Sequence, residues 1–187
     1  MLLRPATALD IPALQKLIDA SARALSIGYY SDAQIEAATV HVFGVDSQLI
    51  RDGTYFVIEE GGVLVAAGGW SGRRTLYGGD QAKGREDPPL DPATEAARIR
   101  AFFVHPQWTR RGLARRIYEA CAAAAWESGF RRFELMSTKP GEPLYTALGF
   151  APIEKVVETL PGGITIDFTW MSRPIDPPKS MANPSAG

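Results

Sequence analysis

Residues 97–126, ARIRAFFVHPQWTRRGLARRIYEACAAAAW, decide the fold. Ile99, Ala101 and Phe103 alternate with Arg100, Phe102 and Val104, the period-two pattern of a strand. Pro106 stops that strand, because proline has no N–H to give to a ladder. A short basic turn follows, Thr109-Arg110-Arg111-Gly112. Leu113, Ile117, Cys121 and Ala124 then fall on one stripe at helical spacing, with Arg115, Arg116, Glu119 and Trp126 off it, and Gly129 is a natural stop. The turn carries the unusual charge. Free N–H groups in a helix's first turn are partly positive, so each cation there costs about 0.3–1 kcal/mol. The arrangement makes sense if an anion occupies the site. Backbone N–H groups, a glycine permitting close approach and two guanidiniums make a phosphate cradle. The charge pattern alone fits a solvated basic turn capped by Thr109 about as well.

The chain has 187 residues, 45% of them hydrophobic, which suits one domain with a sizeable core. Its net charge is −1, so nothing global points to nucleic acid or a membrane surface as partner. A nucleic-acid binder built on the arginine helix is disfavoured, since its charge is local and no aromatic platform accompanies it. The one cysteine, Cys121, excludes an intramolecular disulfide, and its place on the apolar stripe reads as a core thiol. No apolar run of spanning length and no signal peptide are visible, so a cytoplasmic location is the expectation. No Cys/His spacing suggests a metal site, and no Walker or dinucleotide glycine pattern occurs.

Working outward, Leu2-Leu3-Arg4 reads as a short strand, and Asp10 as the cap of a helix whose buried face is Ile11, Leu14, Leu17 and Ile18. Ser31-x-x-Gln34 is a capping box opening a second helix. Thr54–Glu59 and Val63–Trp70 read as a hairpin about Gly61-Gly62. The small residues Ala66-Ala67-Gly68-Gly69 admit close approach by a ligand or a packed helix, packing being the safer reading. Residues Ser71–Thr94 are irregular, rich in Gly, Pro and mixed charge, Lys83 and Arg85 among them. A loop of that length is functional or solvated; a lid is expected. Arg131–Ser137 is a further strand, and Ala151–Leu160 with Ile164–Met171 a final hairpin about Pro161-Gly162-Gly163. The expected domain is residues 1–173, with 174–187 a disordered proline-rich tail.

Val104-His105-Pro106-Gln107-Trp108-Thr109-Arg110-Arg111-Gly112-Leu113-Ala114 resembles the acetyl-CoA signature of the GNAT superfamily of N-acetyltransferases, a strand, then Gln/Arg-x-x-Gly-x-Gly/Ala, then a helix. Gly112 and Ala114 match its small positions, while Thr109 departs from the usual Gln/Arg. Leu144-Tyr145-Thr146-Ala147-Leu148-Gly149-Phe150 resembles the superfamily's second hallmark. The resemblance implies an α+β fold in three layers, a mixed, mostly antiparallel sheet flanked by helices. It implies acetyl-CoA as co-substrate, held by Phe103, Val104, Thr109, Arg110, Arg111, Gly112, Leu113, Ala114 and Arg115, with Arg116 as an alternative phosphate contact. The pantetheine arm would lie where the strand of Ile99–Val104 parts from that of Arg131–Ser137, a backbone N–H facing the thioester oxygen. Tyr145 would be the general acid toward the CoA sulfur; read without the resemblance, it is an aromatic packing its helix. Tyr29, Tyr30, Trp70 and Tyr77 would border the acceptor, the tyrosines of the loop having core packing as their alternative. The base is unassigned among Asp80, Asp91, Glu95 and Glu134, with a water chain as another route. The expected activity is acetyl transfer to a primary amine by direct attack in a ternary complex, the small-molecule acceptor being unreadable. The competing reading is an acyl-CoA-binding module without turnover. Homodimerisation, common in the superfamily, has no warrant in the residues.

Overall fold

The computed structural model describes residues 1–82, 84 and 86–177. Its elements run β1 (Leu2–Pro5), α1 (Ile11–Ser26), α2 (Asp32–His41), α3 (Ser47–Arg51), β2 (Tyr55–Glu60), β3 (Val63–Ser71), β4 (Ala97–Val104), α4 (Leu113–Glu127), β5 (Arg132–Thr138), α5 (Glu142–Ala147), β6 (Ala151–Thr159) and β7 (Thr165–Pro174). One sheet takes the order β1-β2-β3-β4-β5-β7-β6. Every neighbouring pair is antiparallel except β4 and β5. Parallel neighbours need a crossover, and α4 supplies it. On one face α4 lays Leu113, Ile117, Cys121 and Ala125 into a core with Val65, Ile99, Phe133 and Leu135. Leu14, Leu17 and Ile18 of α1 join Leu49, Tyr55, Val57 and Leu64 in a second cluster, and Ile35 and Ala38 of α2 join Ile166 and Phe168 in a third. The architecture is the expected mixed, mostly antiparallel sheet flanked by helices.

The opening of the sheet originates at one residue. Ala101 has φ 54°, a left-handed conformation that costs an L residue roughly 1–2 kcal/mol. The register passes from Ala67↔Phe103 to Gly69↔Arg100, so Ala101 and Phe102 together face Gly68. This is a β-bulge, and it reverses the phase of the strand. Ala97 and Ile99 pack with α4 before it; Phe102 and Val104 do so after it, while Ala101 and Phe103 turn to the α1 cluster. The clean alternation expected from Ile99 to Val104 is therefore broken in the middle. β4 pairs with β5 only at Ala97↔Phe133 and Arg98↔Glu134, whereas β5 stays paired with β7 along its length. Beyond Arg98 the two parallel strands part. Gly68 is small because the ring of Phe102 would lie 2.6 Å from any Cβ there. Packing thus accounts for the small residues of β3.

Other expectations meet different outcomes. The Ser31–Gln34 capping box is present. Asp10 precedes α1, but its carboxylate turns back to the Thr7 N–H and to Arg4 instead of capping the helix. The helix α3, capped by Asp46, was not read from the sequence. The segment after β3 is more anchored than a solvated excursion. Arg73 pairs with Asp52, Arg73 bridges to Pro89, and Leu90 is buried with its N–H donating to Gly72 O. Lys83 and Arg85 lie outside the described residues. So do residues 178–187 of the expected tail. The part of that tail which is described is attached: β7 runs through Pro174, and Ile175 is buried with its N–H donating to Arg131 O.

Candidate active site

The turn before α4 is built from backbone strain. Pro106–Trp108 make a 3-10 turn, and the Thr109 hydroxyl donates to Pro106 O at 3.3 Å, so Thr109 closes that turn and does not cap α4. Arg110 has φ 62° and Gly112 φ 75°. Gly112 is the helix N-cap, and no side chain caps α4. The N–H groups of Leu113, Ala114 and Arg115 therefore have no carbonyl within the helix. A Cβ on Gly112 would meet nothing within 4 Å, so glycine serves the left-handed backbone there, and the space above it is open.

That space is one end of a cleft of about 710 Å³. Thr109, Arg110, Gly112, Leu113, Ala114 and Arg115 form the helix end, and Phe102, Phe103, Val104 and Tyr145 line the gap between β4 and β5. Arg111 departs from expectation: its guanidinium stacks 4.4 Å above the Trp108 ring and the residue is not in the cleft wall. Arg115 reaches across the mouth to Ala147 O, while Arg116 points to the Met1 sulfur and away. In the gap, the Val104 N–H donates to Ser21 Oγ of α1 at 3.2 Å, so a ligand pairing with that strand must replace the serine.

The Tyr145 ring makes edge contacts with Phe102 at 6.3 Å and Phe150 at 5.7 Å. Both readings of this residue are thus realised: it packs α5 and it lines the cleft. Burial raises its hydroxyl well above the usual phenol range, so it is protonated at neutral pH. Tyr29, 49% exposed, stands at the far mouth, and Tyr77 lines the wall with its ring 5.4 Å from Phe168. Tyr30 and Trp70 do not line the cleft. The Tyr30 hydroxyl donates to Asp167 O and accepts from the Lys139 N–H, and burial pushes its pKa up to about 12. Trp70 is in the core against Phe130. Both went inward because their rings complete hydrophobic clusters between elements.

None of the four carboxylates considered as a base lines the cleft. Glu134 pairs with Arg98 and Arg132, Glu95 accepts from the Asp91 N–H, Asp91 closes its own turn, and Asp80 accepts from the Ser47 N–H. His105 Nδ1 accepts from the Gln107 N–H, and Cys121 is buried in the α4 core with its thiol pKa raised by desolvation. The residue that sequence reasoning missed is Arg100. It is buried on β4, pairs with Asp46 at 2.9 Å, and donates to Thr75 O and Gly78 O. Desolvation lowers its pKa, with the Asp46 charge opposing. It ties the Leu76–Gly79 wall to the sheet. An arginine between the apolar residues Ile99 and Ala101 was the available signal, since such a charge, if buried, must find a partner.

The overall fold recurs in solved acetyltransferases. A GCN5-related N-acetyltransferase from Rhodopseudomonas palustris aligns with a TM-score of 0.67 and 18% identity, over 92% of this chain and 94% of its own. The PaiA N-acetyltransferase of Thermoplasma acidophilum, solved with coenzyme A, gives 0.61 and 12%, over 92% and 98%. A phosphinothricin acetyltransferase from Sinorhizobium meliloti, solved with acetyl-CoA, gives 0.61 and 18%, over 100% and 94%. At these identities the likeness concerns the fold. No curated protein sequence matches the chain significantly. The family model for the acetyltransferase (GNAT) family matches residues 17–150. The chain belongs to that family. Among the described residues, no helix is long and apolar enough to cross a membrane.

Proposed function

We propose that the protein transfers the acetyl group of acetyl-CoA to a primary amine, by direct attack in a ternary complex. The observation that carries this reading is the uncapped, left-handed turn at Gly112, opening into the gap between β4 and β5 with Tyr145 on its wall. Free N–H groups of Leu113, Ala114 and Arg115, with the Arg110 and Arg115 side chains, suit the pyrophosphate of CoA. The pantetheine arm would enter the gap and take the place of Ser21 on the Val104 N–H. The amine nitrogen attacks the thioester carbon, the C–N bond forms and the C–S bond breaks. One proton leaves nitrogen and one arrives at sulfur. Tyr145, neutral at physiological pH, is the donor on the cleft wall that can hydrogen-bond the departing sulfur.

The test is calorimetric titration with acetyl-CoA and with CoA lacking its 3′-phosphate, followed by an assay of thiol release with amines. Micromolar binding of acetyl-CoA with acetyl transfer to an amine is expected. Absence of binding would overturn the cofactor assignment. Binding without release for any amine would replace the enzyme with an acyl-CoA-binding module.

A further inference from the structure

Resting on the acetyltransferase reading, we infer that the acceptor is a monoamine with an apolar or aromatic body, taken up from solution in its neutral form, and that no side chain of this protein acts as its base. The acceptor end of the cleft is walled by Leu25, Val42, Phe43, Leu76, Tyr77 and Phe168. α1, the turn after α2, β7 and the anchored segment after β3 supply these groups, and Val42 and Phe168 belong to a buried cluster, so packing fixes the wall. The ionisable side chains along the whole cleft are Tyr29, Tyr77, Arg100, Arg110, Arg115 and Tyr145. None of them is a carboxylate or a histidine. No carboxylate lines the cleft, and those behind or beside the wall already have partners: Asp46 pairs with Arg100 and Glu158 bonds Tyr77, both from behind cleft residues, while Asp87 accepts from the Thr75 N–H, Glu142 from Thr169, Asp167 pairs with Lys139, and Asp19 and Glu36 pair with Arg23. Residues 83, 85 and 178–187, outside the described set, contain no Asp or Glu.

An ammonium group entering this cleft meets no carboxylate on its wall, and desolvation favours its neutral form. The neutral amine is also the nucleophile, so its lone pair attacks without prior proton removal by the protein. A diamine or polyamine would have to leave a second ammonium unpaired against an apolar wall, which is strongly disfavoured. An aromatic or branched apolar body instead gains by burial there.

The experiment is the pH profile of kcat/KM for two amines of similar shape and different basicity, 2-phenylethylamine and 2,2-difluoro-2-phenylethylamine, alongside 1,4-diaminobutane and spermidine. Because kcat/KM reports the free enzyme and free substrate, each profile should rise with pH and bend at that amine's own pKa. The bend should move between the two amines by the difference in their solution values. The diamine and spermidine should fall below 2-phenylethylamine by about 100-fold. A bend near neutrality shared by both aromatic amines would reveal a side-chain base and overturn the inference. So would preference for 1,4-diaminobutane or spermidine, or binding of acetyl-CoA with neither aromatic amine acetylated. Failure to bind acetyl-CoA at all would instead strike the acetyltransferase reading beneath it.

Discussion

Replacing Arg100 by methionine tests whether one buried ion pair holds the acceptor wall. The Arg100 side chain is 1% exposed and that of Asp46 is 0% exposed, at 2.9 Å. Methionine fills most of the same volume but takes the Arg100 charge away from the buried Asp46 carboxylate, and removing one member of such a pair costs about 3–5 kcal/mol. The carbonyls of Thr75 and Gly78 lose donors as well, at roughly 1 kcal/mol each if they stay dry. For a chain of this size, 3–5 kcal/mol corresponds to a fall in Tm of about 10–15 °C. Adding Asp46→Asn removes the buried carboxylate charge and keeps an acceptor for the α3 N–H groups. The double variant should therefore recover at least about 1 kcal/mol relative to Arg100→Met alone. Urea denaturation of the wild type, both single variants and the double variant measures this coupling. The same variants should raise KM for the amine while leaving acetyl-CoA affinity within about threefold, because Thr75 and Gly78 flank Tyr77 and not the α4 turn. Additive single-site costs, or a loss of acetyl-CoA binding in a folded Arg100→Met protein, would refute the reasoning.

Tyr145→Phe keeps the ring contacts with Phe102 and Phe150 and should lower kcat by about 100-fold or more with little change in acetyl-CoA affinity; equal turnover would remove the hydroxyl from the reaction. Gly112→Ala adds a methyl into open space but strains a φ of 75°, costing about 1 kcal/mol and leaving a folded protein with weakened acetyl-CoA binding. Gly112→Glu should abolish that binding, since it sets a carboxylate where a phosphate belongs; calorimetry separates the two. Arg4 and the Thr7 N–H hold the Asp10 carboxyl down at about 2, against roughly 3.9 unfolded. A folded-state pKa below the unfolded one stabilises at higher pH, so the contribution is complete above about pH 4 and fades as pH falls toward 2. Asp10→Asn should accordingly cost about 1–2 kcal/mol at pH 7 and almost nothing at pH 2, by denaturation at both.

The sequence by itself determined the parts governed by local chemistry. Period-two alternation, the Ser31–Gln34 capping box and the double-glycine turns placed these strands, helices and hairpins to within three residues. Arg110, Gly112 and Ala114 marked the turn before α4, the proposed phosphate site, because helix-end chemistry is written over a few consecutive residues. Tertiary structure alone decided everything that depends on residues far apart. Ala101 takes a left-handed conformation that nothing in its neighbours demands, and the bulge it makes opens the gap between β4 and β5. Arg100 finds Asp46 more than fifty residues upstream, and Tyr30 and Trp70 go to the core while Val42, Phe43 and Phe168 come to the cleft. A cleft wall has no period along the chain; it is the set of side chains left over when several faces have packed, and only the assembled fold fixes which those are.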